Sequence, residues 1–236
     1  MTLIELMVVV AIIGILASMS LLAMRDANVR QAIALAPKQL SSALENTRNY
    51  ALSTGRDTIF ILIAGSAGPA GARLCGTGLL ITEDDRCVRY WILEDLVDAT
   101  HTRFNDTARD NFDPAAFTGG GGMRFTADGD TVLDSGVLPQ WVYVGRSPGF
   151  VDPVAGANSM LQNVPLNNAT GCSVCAGTPL RGYVRFTPSG RVFIGTTLGG
   201  GAVFYLNAAP PQSLGVAEET RPVVILQPSG IILDRI

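Results

Sequence analysis

The chain has 236 residues, a formal net charge of -3 and only 16% charged residues. So small a charge excludes recruitment of nucleic acid or acidic lipid by bulk electrostatics. The 26 glycines and 13 prolines demand many turns, and the length suffices for one long helix plus a single globular domain with its own core.

Residues 6–24 are an uncharged run of 19 whose polar side chains are the hydroxyls of Ser18 and Ser20. At ~1.5 Å per residue a helix of this length matches a hydrocarbon layer of ~30 Å. Glu5 stands just before the run. A carboxylate there is expensive in lipid, which marks it as a functional residue. A removable secretory signal would open with basic residues, yet no Lys or Arg precedes Arg25.

The stretch TLIELMVVVAIIGILA, residues 2–17, resembles the mature N-terminus of the type IV pilin and type II secretion pseudopilin superfamily. The resemblance covers the first helix closely, and Glu5 falls on that family's characteristic acid. It implies removal of a short leader by a prepilin peptidase and methylation of the amine of Met1, with Thr2 and Leu3 completing the processed end. It also implies that Glu5 meets the N-terminal amine of a neighbouring subunit. Major pilins usually carry a proline near the end of this run, where Leu22 stands here, and this favours a minor subunit.

Beyond Arg25, Val29, Ile33, Ala36, Leu40, Ala43, Leu44, Thr47 and Ala51 recur at steps of three and four. That is the period of one helix face. Arg25, Arg30, Lys38, Glu45 and Arg48 form the other face. The helix is therefore expected to continue to about residue 55, amphipathic, ~80 Å long in all and kinked at Pro37. Gly55 suits a left-handed C-terminal cap.

Strand signals follow. Residues 58–63, 78–82 and 87–93 are apolar, β-branched or aromatic runs, the last two parted by an acidic turn at residues 83–85. Residues 94–113 read as polar loop with one short helix. Residues 123–133, 184–194 and 224–233 each show an apolar run, a turn containing Gly and a second run, a hairpin signature used three times. These units fit one or two antiparallel sheets. The middle one, RFTPSGRVF, also resembles, more weakly, the C-terminal half of the minor pilin branch containing GspH, FimU and FimT. Residues 147–175 are rich in Pro, Gly and Asn and read as a long loop.

Four cysteines, Cys75, Cys87, Cys172 and Cys175, are an even number and imply disulfides outside the cytoplasm. Four cysteines allow three pairings; Cys75–Cys87 with Cys172–Cys175 is preferred because each joins nearby residues. The Cys172-x-x-Cys175 pair could also serve redox or zinc chemistry. A thioredoxin-like βαβ setting is missing, however, and Cys75 and Cys87 are too widely spaced for a zinc knuckle. His101 lies in a polar stretch without a G-x-S-x-G elbow, and Asp128-Gly129-Asp130 lacks the rest of an EF-hand loop. Residues 119–122, all Gly, lack the Lys-Ser/Thr of a phosphate loop. No catalytic residue, metal or cofactor is expected.

The expectation is an α+β fold. A transmembrane and filament-core helix over residues 1–24 continues as an amphipathic helix over 25–55, packed on an antiparallel β-sheet head over 56–236, as the resemblance to pilins implies. The implied function is that of a non-catalytic minor pilin, priming or forming the tip of a type IV pilus. Its partners would be other minor pilins, the major pilin, a tip adhesin and the prepilin peptidase. It would wait in the inner membrane with a periplasmic head, then move to the pilus at the cell surface. One alternative is a minor pseudopilin of type II secretion, although the chain is longer than expected of that type. Another is a DNA-binding competence pilin using Arg181, Arg185 and Arg191. The closing residues 232–236 hold no clustered Gly-Arg-x-Arg, which weighs against DNA. A third is a membrane-anchored enzyme or binding domain.

Overall fold

The computed structural model describes residues 3–65, 73–74, 85–86, 88–98, 102–112, 117–118, 124–125, 130–139, 142–145, 172–177, 179–194, 201–208, 220–226 and 229–234. The expected features at Met1, Thr2, Cys75, Cys87, His101, Gly119–Gly122, Asp128, Gly129 and the strand at 78–82 lie outside these residues, as does most of the long loop before Cys172.

Helix α1 spans Leu3–Thr54 without a break, 52 residues with Pro37 inside it. Its end follows the cap chemistry: Gly55 adopts φ 70°, and its N–H donates to the Ala51 carbonyl at 3.1 Å. All eight apolar-stripe residues named above, Val29 to Ala51, are buried. Leu40 and Leu44 are fully enclosed, and each such burial is worth about 1.5–3 kcal/mol. Arg30, Lys38 and Glu45 are exposed, as the amphipathic pattern requires. Arg48 departs from it and is half-buried. Two glycine turns close over this arginine: a Cβ at Gly190 would sit 3.3 Å, and one at Gly230 3.7 Å, from its Nε. Both glycines have positive φ, 73° and 67°, which is why the chain can turn this tightly at each of them.

The strands are β1 (Thr58–Ala64), β2 (Arg73–Leu74), β3 (Asp85–Arg86), β4 (Val88–Glu94), β5 (Phe117–Thr118), β6 (Arg124–Phe125), β7 (Thr131–Val137), β8 (Val142–Val144), β9 (Cys175–Ala176), β10 (Leu180–Phe186), β11 (Val192–Phe193), β12 (Gly201–Ala208), β13 (Thr220–Leu226) and β14 (Ile231–Leu233). A short helix α2, Asp106–Asp110, precedes β5, and Asn105 caps it by accepting the Ala108 N–H. One sheet runs β11-β10-β1-β4-β7-β6-β5 with β9 added beside β10, and a second runs β14-β13-β12-β8. The pairs within both are antiparallel. All three expected hairpins form, as β6–β7, β10–β11 and β13–β14. One difference is that Asp85, read as part of a turn, enters the small parallel pair β2–β3.

β1 lies inside the larger sheet, between β10 and β4, and is buried along its whole length. Its continuous apolar run, rather than an alternating one, fits a strand covered on both faces. Phe60, Leu62 and Ala64 face the main core, which joins the buried face of α1 to both sheets. Phe60 meets Phe204 of the second sheet edge-on at 6.5 Å. Ile59, Ile61 and Ile63 face a smaller cluster with Trp91, Leu93, Phe104, Phe112 and Tyr183. The segment carrying α2 contributes Phe104 and Phe112 to that cluster, while α1 contributes none.

Candidate functional site

The first feature is the outer half of α1. Leu3–Ser20 has a mean hydropathy of 2.4 and none of it is buried within the chain. Its large apolar side chains, from Leu3 to Met19, are 47% to 79% exposed and surround the helix on all sides. By length and composition this helix can cross a membrane. The two hydroxyls are satisfied inside the helix, Ser18 donating to the Ile15 carbonyl at 2.7 Å and Ser20 to the Leu16 carbonyl at 3.0 Å. Neither therefore presents an unmatched donor to an apolar medium. Glu5 is exposed on the first turns, where a carboxylate also complements the helix dipole. Leu3 is 79% exposed beside it.

The second is the Cys172–Cys175 disulfide, with an S–S distance of 2.03 Å. Cys172 bridges to Phe204 of β12, whereas Cys175 pairs with Gly182 of β10. The Ser173 N–H donates to the Val203 carbonyl at 3.0 Å, and the Ser173 hydroxyl accepts the Val203 N–H at 2.9 Å. This short segment thus ties one sheet to the other. Gly182 has to be a glycine, since a Cβ there would lie 2.6 Å from the Cys175 Sγ. Both sulfurs belong to nearly buried residues, which suits a structural bond.

The three arginines singled out for nucleic acid do not share one exposed patch. Arg181 and Arg185 lie on the same face of β10 as Tyr183, by the two-residue period of a strand. Arg185 is mostly buried: its Nη1 is 3.8 Å from the Asp57 Oδ2, and its guanidinium stacks 4.9 Å over the Phe193 ring. Arg191 is exposed in the β10–β11 turn, where its carbonyl accepts the Thr187 N–H at 2.9 Å. Asp130, weighed for calcium, is buried and accepts the Leu96 N–H at 2.9 Å. Among the described residues no group of three His, Cys, Asp or Glu could hold a metal ion.

Sequence reasoning did not find a polar cavity of about 360 Å³ at the C-terminal end of α1. Arg56 and Asp57 reach it from the connector between α1 and β1, Asp95 from the end of β4, and Arg103 from the approach to α2. Arg56 is hydrogen-bonded to Glu94, and the Arg103 Nε lies 3.6 Å from the Asp57 Oδ2. The Asp95 N–H donates to the Asp57 carbonyl at 3.0 Å, fixing the two acids side by side. Burial foremost pushes the Asp95 carboxyl above its ordinary range, and the Asp57 charge adds to this. The Phe104 N–H and the charges of Arg185 and Arg103 act the other way. On the same side of the sheet Tyr183 is pushed up to about 12, mainly by burial and then by the Asp106 carboxylate. The only local hint in the sequence was Arg56-Asp57 directly after a helix cap, which is common surface chemistry.

Comparison of the chain with protein-family models, with curated proteins and with solved structures returned no match.

Proposed function

We infer that the chain is a minor pilin-type subunit that waits in a membrane through the outer half of α1 and then enters a helical filament through the same surface. One observation carries this reading. Leu3–Ser20 is apolar around its whole circumference and covered by no part of its own chain, yet it continues without a break into a helix half locked against the head. A simple anchor needs no such rigid continuity. A filament core does, because the packed helices must hold each head at a fixed position.

Transfer from lipid into a bundle of like helices exchanges one apolar environment for another, so packing and polar contacts decide it. Glu5 supplies the polar contact. An ionised carboxylate enclosed in a fibre costs several kcal/mol unless a cation meets it, and the N-terminal amine of an adjacent subunit is such a cation. The resemblance of residues 2–17 to pilin N-termini supports the same assignment. The engagement of Arg185 by Asp57 and Phe193 gives no support to a nucleic-acid role.

The test is Glu5→Ala in cells that assemble the filament, read as the fraction of the chain found in sheared filaments against the membrane fraction. The variant should keep wild-type abundance and head stability while its filament fraction falls about tenfold or more, the loss of one charge-assisted contact. Wild-type incorporation of Glu5→Ala would overturn the assignment.

A further inference from the structure

The segment 172–176 closes two strand edges at once. β12 pairs with β13 along one edge. On its other edge β8 covers residues 206–208, and the Gly145 N–H donates to the Tyr205 carbonyl. Cys172 and Ser173 complete that cover at Phe204 and Val203. In the larger sheet β10 pairs with β1 along one edge, and on the other Cys175 and Ala176 lie opposite Gly182 and Arg181. A strand edge needs such cover, because its unpaired N–H and C=O groups are a template for another chain. β12 needs it more than β10. Gly201–Ala208 holds no charge and no proline, whereas β10 carries Arg181 and Arg185.

The bond that holds this segment acts locally. It joins residues three apart, and so short a loop removes little entropy from the unfolded chain. Its sulfurs rest directly on β10. A Cβ at Gly182 would lie 2.6 Å from the Cys175 Sγ and 3.4 Å from the Cys172 Sγ. Leu180 and Val184, the neighbours of Gly182 on the same face, are buried in the main core, so the sulfurs have no room to retreat inward. Two thiols must stand at van der Waals separation and need more space than two bonded sulfurs. Extra volume at a close-packed site displaces backbone, and the piece with the fewest ties moves first. Here that piece is the short segment itself, which meets each sheet at only two residues.

We propose that residues 172–176 are a redox-held strap, sealed over β12 and β10 while the disulfide is closed and lifted from both when it is reduced. The reductant is a dithiol. One of its thiolates attacks a sulfur of the pair and its second thiol resolves the mixed disulfide. Two electrons and two protons pass to Cys172 and Cys175, which become thiols, and the reductant leaves as a cyclic disulfide. Cys172 is 1% and Cys175 8% exposed, so this attack waits for a local opening of the strap. Lifting it frees the Val203 N–H and carbonyl, which the Ser173 hydroxyl and N–H now satisfy. The strap belongs to the head and does not depend on the filament reading.

The experiment is amide hydrogen exchange on the full chain in detergent micelles, oxidised and after dithiothreitol, with thiol alkylation and mass measurement to show that reduction is complete. Exchange at Ser173 and Val203 should speed up about tenfold or more on reduction, as expected when a buried hydrogen bond is lost. Exchange at Ile61, in β1 between β10 and β4, should stay within about twofold, since the bond acts on the strap and not on the whole fold. The double variant Cys172→Ser/Cys175→Ser should exchange like the reduced chain and replaces it if dithiothreitol leaves the bond intact. Unchanged exchange at Ser173 and Val203 in the reduced chain or the double variant would overturn the proposal. So would an equal rise at Ile61, which would make the disulfide a global stabiliser and not a strap.

Discussion

The two halves of α1 share one backbone, yet they relate to the rest of the chain in opposite ways. Val29 to Ala51 presents one stripe and buries it against two sheets. Leu3–Ser20 presents apolar side chains on every side and buries none. The difference lies in pattern as well as in amount. A stripe with polar neighbours can be satisfied by one folded surface, whereas an all-round apolar helix needs a surrounding apolar medium. The inner half therefore stabilises this molecule, and the outer half is long and apolar enough to cross a membrane.

The sharpest way to break that comparison is to truncate one side chain in each half. Leu40→Ala should lower the unfolding free energy by about 2–5 kcal/mol, because the fully enclosed leucine leaves a cavity under both sheets. Ile12→Ala should leave head unfolding in detergent unchanged, since Ile12 is 52% exposed and touches no core. Denaturant melts of the full chain in micelles measure both, and an equal loss from the two substitutions would erase the distinction.

A charge sharpens the comparison from the other side. Ile12→Lys lies near the middle of Leu3–Ser20 and should cost about 2.5–3.5 kcal/mol in membrane insertion. Carbonate extraction of membranes would show the variant released, while its head melts as the wild type does. Full retention of Ile12→Lys would mean that the outer half is not surrounded by lipid.

The smallest effect concerns the side of the larger sheet that α1 does not cover. Tyr183 ionises near 12 in the fold against 10.0 for a free phenol. The folded state thus keeps its proton longer than the unfolded one. The associated stability is intact below pH 10 and is lost as pH rises from 10 through 12. Between pH 9 and pH 11 the wild type should lose about 1 kcal/mol more than Tyr183→Phe in denaturant melts. Ile12→Ala should show the wild-type slope. A parallel pH dependence for wild type and Tyr183→Phe would place the titrating group elsewhere.

Local pattern determined much of this protein. The stripe from Val29 to Ala51 was legible because a helix repeats every 3.6 residues, and its end was legible because only a residue tolerant of positive φ fits the cap that Gly55 makes. The three hairpins were legible because their partners are a turn apart. The proximity of Cys172 and Cys175 was legible for the same reason, whereas their role in joining β10 to β12 was not. Two strands of the second sheet escaped notice. Neither β8 nor β12 was anticipated, although Gly201–Ala208 is almost wholly apolar, because a strand signal does not say which edge it will join.

What only the tertiary structure decided are the meetings of distant side chains. Arg48 belongs to the polar face of the helix by periodicity, and it became half-buried because two turns from separate hairpins converge on it. Asp57, Asp95 and Arg103 are unremarkable surface residues in sequence and become one cavity once β1 and β4 pair in register, with Thr58 opposite Glu94. Helix period and turn chemistry are local properties of the chain, written in a few adjacent residues. Burial and charge at a site are sums over everything that folding brings near, and no short window of sequence contains them.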